Sequence, residues 1–457
     1  MSNSSQEIAA RRTRRKLWLI VLSCLLLFAL GVYAGRGQLE RAAIAVEIYR
    51  AHAFTPPPIA PGESRLHWHF SNAQFYWDFS AIRVAREKRL KLLNPELKPL
   101  VKEIARRQAA GEGMQYSMHI YREIRWRLNF TPDVEATRAR IADLRQSLNQ
   151  TELQKQAAEQ QASDGSWGMG LNVWYLKLYY SVEDGLKSQG APPKYPLAFL
   201  DRINSPEKLA GKLDGDLHND FTRTGVFNRE ETDETFSAIA RLLYGHKQTG
   251  YAFDPGLDDA LRTFVARWQN PETGFWGQWL IDRQGRIWKM DDMAMTFHVV
   301  SDLHGDVEHK DLIARRLLQL DKVDFPAGIR FDGHYENHLN MDVVKIFRMT
   351  WPVLDESTRQ QARAEISRML DWCLTQSLQP DGSFKVSELD DTTGDAYSYG
   401  VSFLTEAGYF RREDRFWTDQ DFPDSQAIRE RIEAKLKSTG LNDPNMRDAY
   451  DQLQAVK

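Results

Sequence analysis

Glycine-centred turns punctuate this chain at Gly113, Gly165, Gly215, Gly274, Gly333 and Gly382. The intervals are about 50 to 60 residues, a spacing that signals an internally repeated fold. Each turn is flanked by helical patterns. Before Gly382, Ile366, Met369, Leu370, Cys373 and Leu374 fall on one helix face, and Thr358 to Arg368 is largely polar off it. After it, Ala396 to Phe410 leaves little polar face, the pattern of a helix buried nearly all round.

The same contrast recurs. Half-exposed helices are predicted over Pro95–Ala109, Val134–Ala162, Pro196–Lys212, Leu257–Gln269, Lys310–Lys322 and Glu356–Gln376. Buried ones are predicted over Gln115–Leu128, Leu171–Val182, Asp233–Tyr244, Asp292–Leu303, Leu339–Trp351 and Ala396–Phe410. No comparable strand alternation runs through these segments. The expected fold is therefore all-α, an (α/α)6 toroid in which six helical hairpins close an inner ring inside an outer one. The toroid is placed at 93–410 and a C-terminal helical extension at 411–457, with helices at Ser425–Lys437 and Asn442–Leu453 and with Trp417 and Phe422 as anchors.

Gln161-Ala162-Ser163-Asp164-Gly165-Ser166-Trp167 matches the Gln-x-x-x-Gly-x-Trp core of the triterpene cyclase repeat. Gln269 to Trp276 and Gln379 to Phe384 match it loosely. Over roughly Pro95 to Phe410 the chain resembles the terpenoid cyclase and protein prenyltransferase α/α toroids. The resemblance implies architecture rather than activity, because glycan lyases, glycosidases and complement-type domains share such rings. The cyclases' Asp-x-Asp-Asp acid motif has its nearest text at Lys289-Met290-Asp291-Asp292, where lysine replaces the first aspartate, and Asp390-Asp391 has Glu388 where the first aspartate should stand. The prenyltransferases' zinc is held by Asp, Cys and His, whereas the two cysteines here are Cys24, in an apolar segment, and Cys373, on a half-exposed helix.

Arg11, Arg12, Arg14, Arg15 and Lys16 precede an uncharged apolar run from Leu17 to Ala34. At about 1.5 Å per residue such a run spans a bilayer core of roughly 30 Å. The expectation is a basic cytoplasmic tail at 1–16, a transmembrane helix at 17–34 contacting the lipid bilayer, and a periplasmic or extracellular main domain, with the chain single-pass in the inner (plasma) membrane. An uncleaved anchor is favoured over a signal peptide, because Val32-Tyr33-Ala34-Gly35 is a poor cleavage site. Residues 35–92 read as a stiff proline-rich tether, with Thr55-Pro56-Pro57-Pro58, and an aromatic segment from Trp68 to Phe79.

In such a ring, the loops after the turns and the starts of the buried helices surround one mouth of a central hole. Asp233 and Glu234, Asp291, Asp292 and His298, Glu336, Asn340 and Asp342, and Asp390, Asp391 and Asp395 collect there. Each acid has an ordinary use as a helix cap, but acids from four helices at one mouth repel unless something binds them. Asp291, Asp292, Glu336, His338 and Asp395 are the candidate catalytic residues. Trp167, Trp276, Trp288, His334, Tyr335, Asn337, Tyr397 and Tyr399 are the candidate substrate-binding residues. This set suits acid–base chemistry of lyase or hydrolase type on an envelope or extracellular glycan.

No cofactor is assigned; His334 and His338 with nearby carboxylates offer a metal alternative within that reading. A non-catalytic binding or scaffold module of an envelope or exopolysaccharide assembly, with envelope protein partners, and a terpenoid or lipid enzyme are the other readings. A net charge of −3 gives no global basic field for nucleic acid. The 13 Trp, 16 Tyr and 22 Phe suit both thick helix layers and carbohydrate or lipid pockets.

Overall fold

Every helix read from apolar periodicity has a counterpart in the structure. That structure is a computed structural model, and it describes residues 80–456 other than 111, 187–192, 220–227, 246–248, 282–286, 332, 388–389, 391 and 442. One set of helices is half exposed: α1 (Ser80–Ala109), α3 (Val134–Ser147) with α4 (Thr151–Glu159), α6 (Pro206–Leu217), α8 (Leu257–Trp268), α10 (Lys310–Gln319) and α12 (Glu356–Trp372). It alternates along the chain with α2 (Gln115–Phe130), α5 (Trp174–Tyr180), α7 (Arg229–Tyr244), α9 (Met293–Asp302), α11 (Asn337–Thr350) and α13 (Thr393–Glu406). In this second set, among the described side chains, only Thr393 is exposed. The second set packs in chain order, α5 on α7, α7 on α9, α9 on α11 and α11 on α13. Side chains of α2 meet α5, with Trp126 and Tyr175 rings 5.9 Å apart. In the half-exposed set α6 packs on α8 and α10 on α12.

The repeated turn explains why the hairpins stack. Gly165 (φ 84°), Gly274 (φ 75°) and Gly382 (φ 88°) take the left-handed conformation that side chains resist. In two of the turns the preceding glutamine fastens the loop to the stretch that leads into the next half-exposed segment. Gln161 Nε2 donates to the carbonyls of Gly165 (2.7 Å) and Tyr195 (2.9 Å), and Gln269 Nε2 donates to those of Gly274 (3.0 Å) and Glu308 (2.7 Å). A Cβ added at Gly165 would stand 2.0 Å from the Pro196 carbonyl oxygen, whereas one at Gly113 meets nothing within 4 Å. Gly165→Ala is expected to lower stability by about 2–4 kcal/mol, while Gly113→Ala changes it little. Urea midpoints of the two variants check this, and equal midpoints would remove the turn from the account of the fold.

Two local readings are corrected. Gly215 lies inside α6 rather than in a turn. Continuing the helix buries Leu209, Leu213 and Leu217 on one face, and that gain exceeds the roughly 1 kcal/mol glycine penalty. The connection instead uses β1 (His218–Asn219), parallel to β2 (Trp279–Ile281), which pairs antiparallel with β3 (Ile287–Lys289). The expected boundary between tether and ring at 92/93 falls within α1, which carries Pro95 and Pro99 in its interior. Leu93, Leu97, Leu100 and Ile104 bury one side of that helix, so its packing outweighs the prolines' lost hydrogen bonds.

The C-terminal helices are α14 (Ser425–Ser438) and α15 (Pro444–Ala455), and α15 lies along α13. Trp417 is buried with its indole N–H on the Ala407 carbonyl (2.8 Å), and Phe422 packs against Tyr409 with centroids 5.0 Å apart.

The membrane placement is corrected as well. No helix among the described residues is long and apolar enough to cross a membrane. The run at 17–34, the basic tail before it and the segment at 35–79 lie outside the described residues.

Candidate functional site

Polar residues on the buried helices recur one turn apart, so each group of them occupies one helix face. On α7 they are Asp233, Ser237 and Arg241; on α9, His298 and Asp302; on α11, His338, Asp342 and Lys345; on α13, Asp395 and Tyr399. Asp302 ties α9 to α7, accepting from Ser237 Oγ (2.6 Å) and Arg241 Nε (3.1 Å). Arg229, only 4% exposed, holds Asp292 through two bonds of 2.5 and 3.0 Å. Its Nη2 also reaches Asp233 Oδ2 at 3.3 Å. The other carboxyl oxygen of Asp233, Oδ1, is buried with no hydrogen-bond partner. Burial pushes this carboxyl up to about 7; the Arg229 charge opposes the rise, and Asp292 and Asp302 reinforce it.

On α11 and α13 the His338 and Tyr399 rings stack, with centroids 4.0 Å apart and planes 5° from parallel. His338 Nε2 lies 3.9 Å from Asp342 Oδ2. Loss of water around the ring pushes the imidazole down to about 4, helped by His298 and opposed by Asp395, although 30% of the side chain stays open to solvent. Asp342 is almost fully buried, its Oδ1 has no partner, and burial raises its carboxyl well above the carboxylate range against the pull of Lys345. Burial thus acts on the two in opposite senses, raising the carboxyl and lowering the imidazole, so that both charged forms are disfavoured. On the same helix, two residues from each, Asn340 is fully buried with neither amide atom bonded. Buried polar atoms without partners are rare and call for a ligand, water or strain to explain them.

The residues singled out from sequence divide. His338 and Tyr399 come together as described. Asp291 makes ion pairs with Lys289 (3.2 Å) and with Arg316 of α10 (2.8 Å), fastening β3 to a half-exposed helix. Asp292 caps α9 through the Met295 N–H, and Glu336 caps α11 through the His338 N–H (2.7 Å). Asp395 forms a capping box with Thr392 and accepts from Asn445 of α15 (2.6 Å). Burial first, then Asp390, lifts the Glu336 carboxyl to about 7.

Trp167, Trp276 and Tyr397 are core residues: the first packs on Gly185, the second donates to the Val265 carbonyl (2.9 Å), and the third sits edge-on to Phe384. Tyr335 bonds Glu365 of α12 (2.8 Å), Asn337 bonds Ser377 (2.8 Å), and His334 is exposed. Trp288 belongs to β3 opposite Leu280, and its side chain lies outside the described set. Among the described residues no group of three or more His, Cys, Asp or Glu side chains is arranged to hold a metal ion.

Arg229, Arg241 and Asp302 were not singled out from sequence. Their signal is an acid four residues from a base or histidine on a helix otherwise apolar. A groove of about 570 Å³ between Pro193–Leu197 and Thr249–Ala252 shares no residue with this cluster.

Because the folded-state pKa of Asp233 is raised, its stabilising share is whole below about pH 4, where the carboxyl is protonated folded or unfolded. That share is lost as pH climbs to about 7. Wild type is therefore expected to lose stability relative to Asp233→Asn across that window, at a slope of up to about 1.4 kcal/mol per pH unit. Urea unfolding of both proteins in matched buffers measures it, and a pH-independent difference contradicts the assignment.

No family model matches the chain, and neither a curated protein nor a solved structure matches it.

Proposed function

We propose that the buried helices α2, α5, α7, α9, α11 and α13 encircle a common hole, completing an (α/α)6 toroid, and that the polar cluster facing it cleaves a glycan by acid–base catalysis. Closure is supported by charges from the first buried helix acting on the last part of the chain: burial raises the Tyr399 phenol and the Asp390 carboxyl, and Arg122 and Arg125 of α2 act against those two rises. The observation that carries the chemistry is the pair of buried carboxyls on α7 and α11, each with an unpartnered oxygen, beside a neutral histidine.

Titratable groups driven apart by their surroundings take acid and base roles. Asp342 gives its proton to the leaving glycosidic oxygen. Asp233, in its ionised form, takes a proton from the water that adds to the anomeric carbon. The bond to the leaving oxygen breaks, the water oxygen replaces it, and solvent restores both carboxyls. An apolar tunnel with one isolated acid, which a hydrocarbon substrate requires, is a poor match to this face.

A second reading has its own support. Asp292, Glu336 and Asp395 are helix caps, as a binding or scaffold module without chemistry would have them. The two readings separate when the full chain is incubated with neutral and acidic polysaccharides and assayed for binding, new reducing ends and unsaturated uronate ends. Cleavage by wild type that Asp342→Asn abolishes supports the enzyme. Binding without cleavage assigns the module, and neither binding nor cleavage sinks both.

A further inference from the structure

We infer that α1 carries a docking surface for anionic lipid, separate from the cluster on the buried helices. Lys88, Lys91, Lys98 and Lys102 are exposed and follow one another at three, seven and four residues, so they share one side of the helix. At about 1.5 Å per residue they extend over roughly 21 Å. None of them meets a hydrogen-bonding or ion-pair partner among the described residues. The lysines of the other half-exposed helices and of α14 all have one. Lys155 faces Glu152, Lys212 faces Asp216, Lys435 faces Asp381 and Lys437 faces Glu433, while Lys208 and Lys310 donate to backbone carbonyls. On α1 the ion pairs go to arginines instead. Glu103 holds Arg106 and Arg107, and Glu96 holds Arg138 of α3, so of the helix's three acids only Glu87 stands against the four lysines.

An apolar ridge runs beside this charge. Leu92, Pro95 and Pro99 fall at intervals of three and four residues and are exposed, and Leu92, at 53%, is the most open large apolar side chain among the described residues. On the opposite side Leu93, Leu97, Leu100 and Ile104 are packed into the core, which holds the lysine face outward. A polyanion in solution satisfies the lysines and has no use for Leu92. A bilayer surface takes both. Lipid phosphates meet the ammonium groups, each worth about a fivefold gain in binding, and the leucine and the proline rings enter the boundary between headgroups and acyl chains. Contact of this kind lies along the surface and requires no spanning helix.

Fluorescence titration with vesicles of phosphatidylcholine, alone or mixed with phosphatidylglycerol, tests this on the full chain. A fluorophore on Leu92→Cys, in a Cys24→Ser background with Cys373 buried, reports this helix whatever the rest of the chain does. Its emission is expected to shift to the blue on the phosphatidylglycerol vesicles only, and the shift to vanish in high salt. The Lys88→Ser/Lys91→Ser/Lys98→Ser/Lys102→Ser variant is expected to lose at least about a hundredfold in that titration, while arginine at the same four positions keeps it within about threefold. All four positions are exposed, so the serine variant keeps its circular dichroism and its urea midpoint. No blue shift on anionic vesicles, or the same titration in the serine variant, overturns the inference. An equal response to polygalacturonate, a polyanion without a bilayer, overturns it in favour of an acidic polymer.

Discussion

Arg229→Met is expected to lower the free energy of unfolding by about 3–5 kcal/mol, because removing one partner of a buried ion pair leaves the other charge uncompensated. Arg229 starts α7, and Asp292, which it holds at 2.5 and 3.0 Å, caps α9. The pair therefore joins the starts of two neighbouring buried helices, and the same guanidinium touches Asp233. Asp292 and Asp233 are both almost fully buried, so neither can turn to water for compensation. Pairing with two carboxylates keeps the guanidinium firmly charged despite its burial. The double variant Arg229→Met/Asp292→Asn is expected to recover part of the loss, since a neutral asparagine still accepts the cap bond from Met295. Urea unfolding of wild type, both single variants and the double variant closes the cycle. A loss below about 1 kcal/mol for Arg229→Met marks the pair as weakly coupled and removes it as the link that sets Asp233 in place.

Much of the architecture was open to a reading of residues, and the reasons are local. Gln161, Gly165 and Trp167 announce a turn because a left-handed glycine, a glutamine that bonds two carbonyls and a buried indole each leave a mark on composition. Apolar periodicity then located α9 and α12 to within a few residues. Asp214-Gly215 failed because a turn-like pair inside α6 costs less than exposing Leu213 and Leu217.

The site was harder to read. Acids at helix starts look like chemistry in a sequence, yet Asp292, Glu336 and Asp395 serve the first turns of α9, α11 and α13. The groups whose protonation is perturbed without a cap to explain it stand elsewhere. Asp342 and Tyr399 lie one turn further in than His338 and Asp395, and Asp233 lies one turn beyond Arg229. Their setting depends on how tightly neighbouring helices press together, and spacing along the chain carries no measure of that pressure.

On the proposed reading, Asp342→Asn is expected to reduce glycan cleavage by about 10²- to 10⁴-fold, the usual contribution of a positioned general acid. The substitution keeps the shape of the side chain and removes the transferable proton. It also removes a carboxyl that burial raises well above its ordinary range, so the variant should unfold at the same or higher urea concentration than wild type, and lost activity cannot then be blamed on lost folding. The pH profile adds a readout that a structural role leaves unmoved. If Asp233 is the base, turnover rises as pH passes through about 7 and falls again once Asp342 ionises. Asp233→Asn then flattens the rising limb, while Asp342→Asn flattens the falling one. Tyr399→Phe keeps the ring that stacks on His338 and serves as the control for packing. Full activity in Asp342→Asn ends the proposed role of that carboxyl. Loss of activity with both limbs of the profile intact makes Asp342 a packing group, and the acid must then be sought elsewhere on the buried helices.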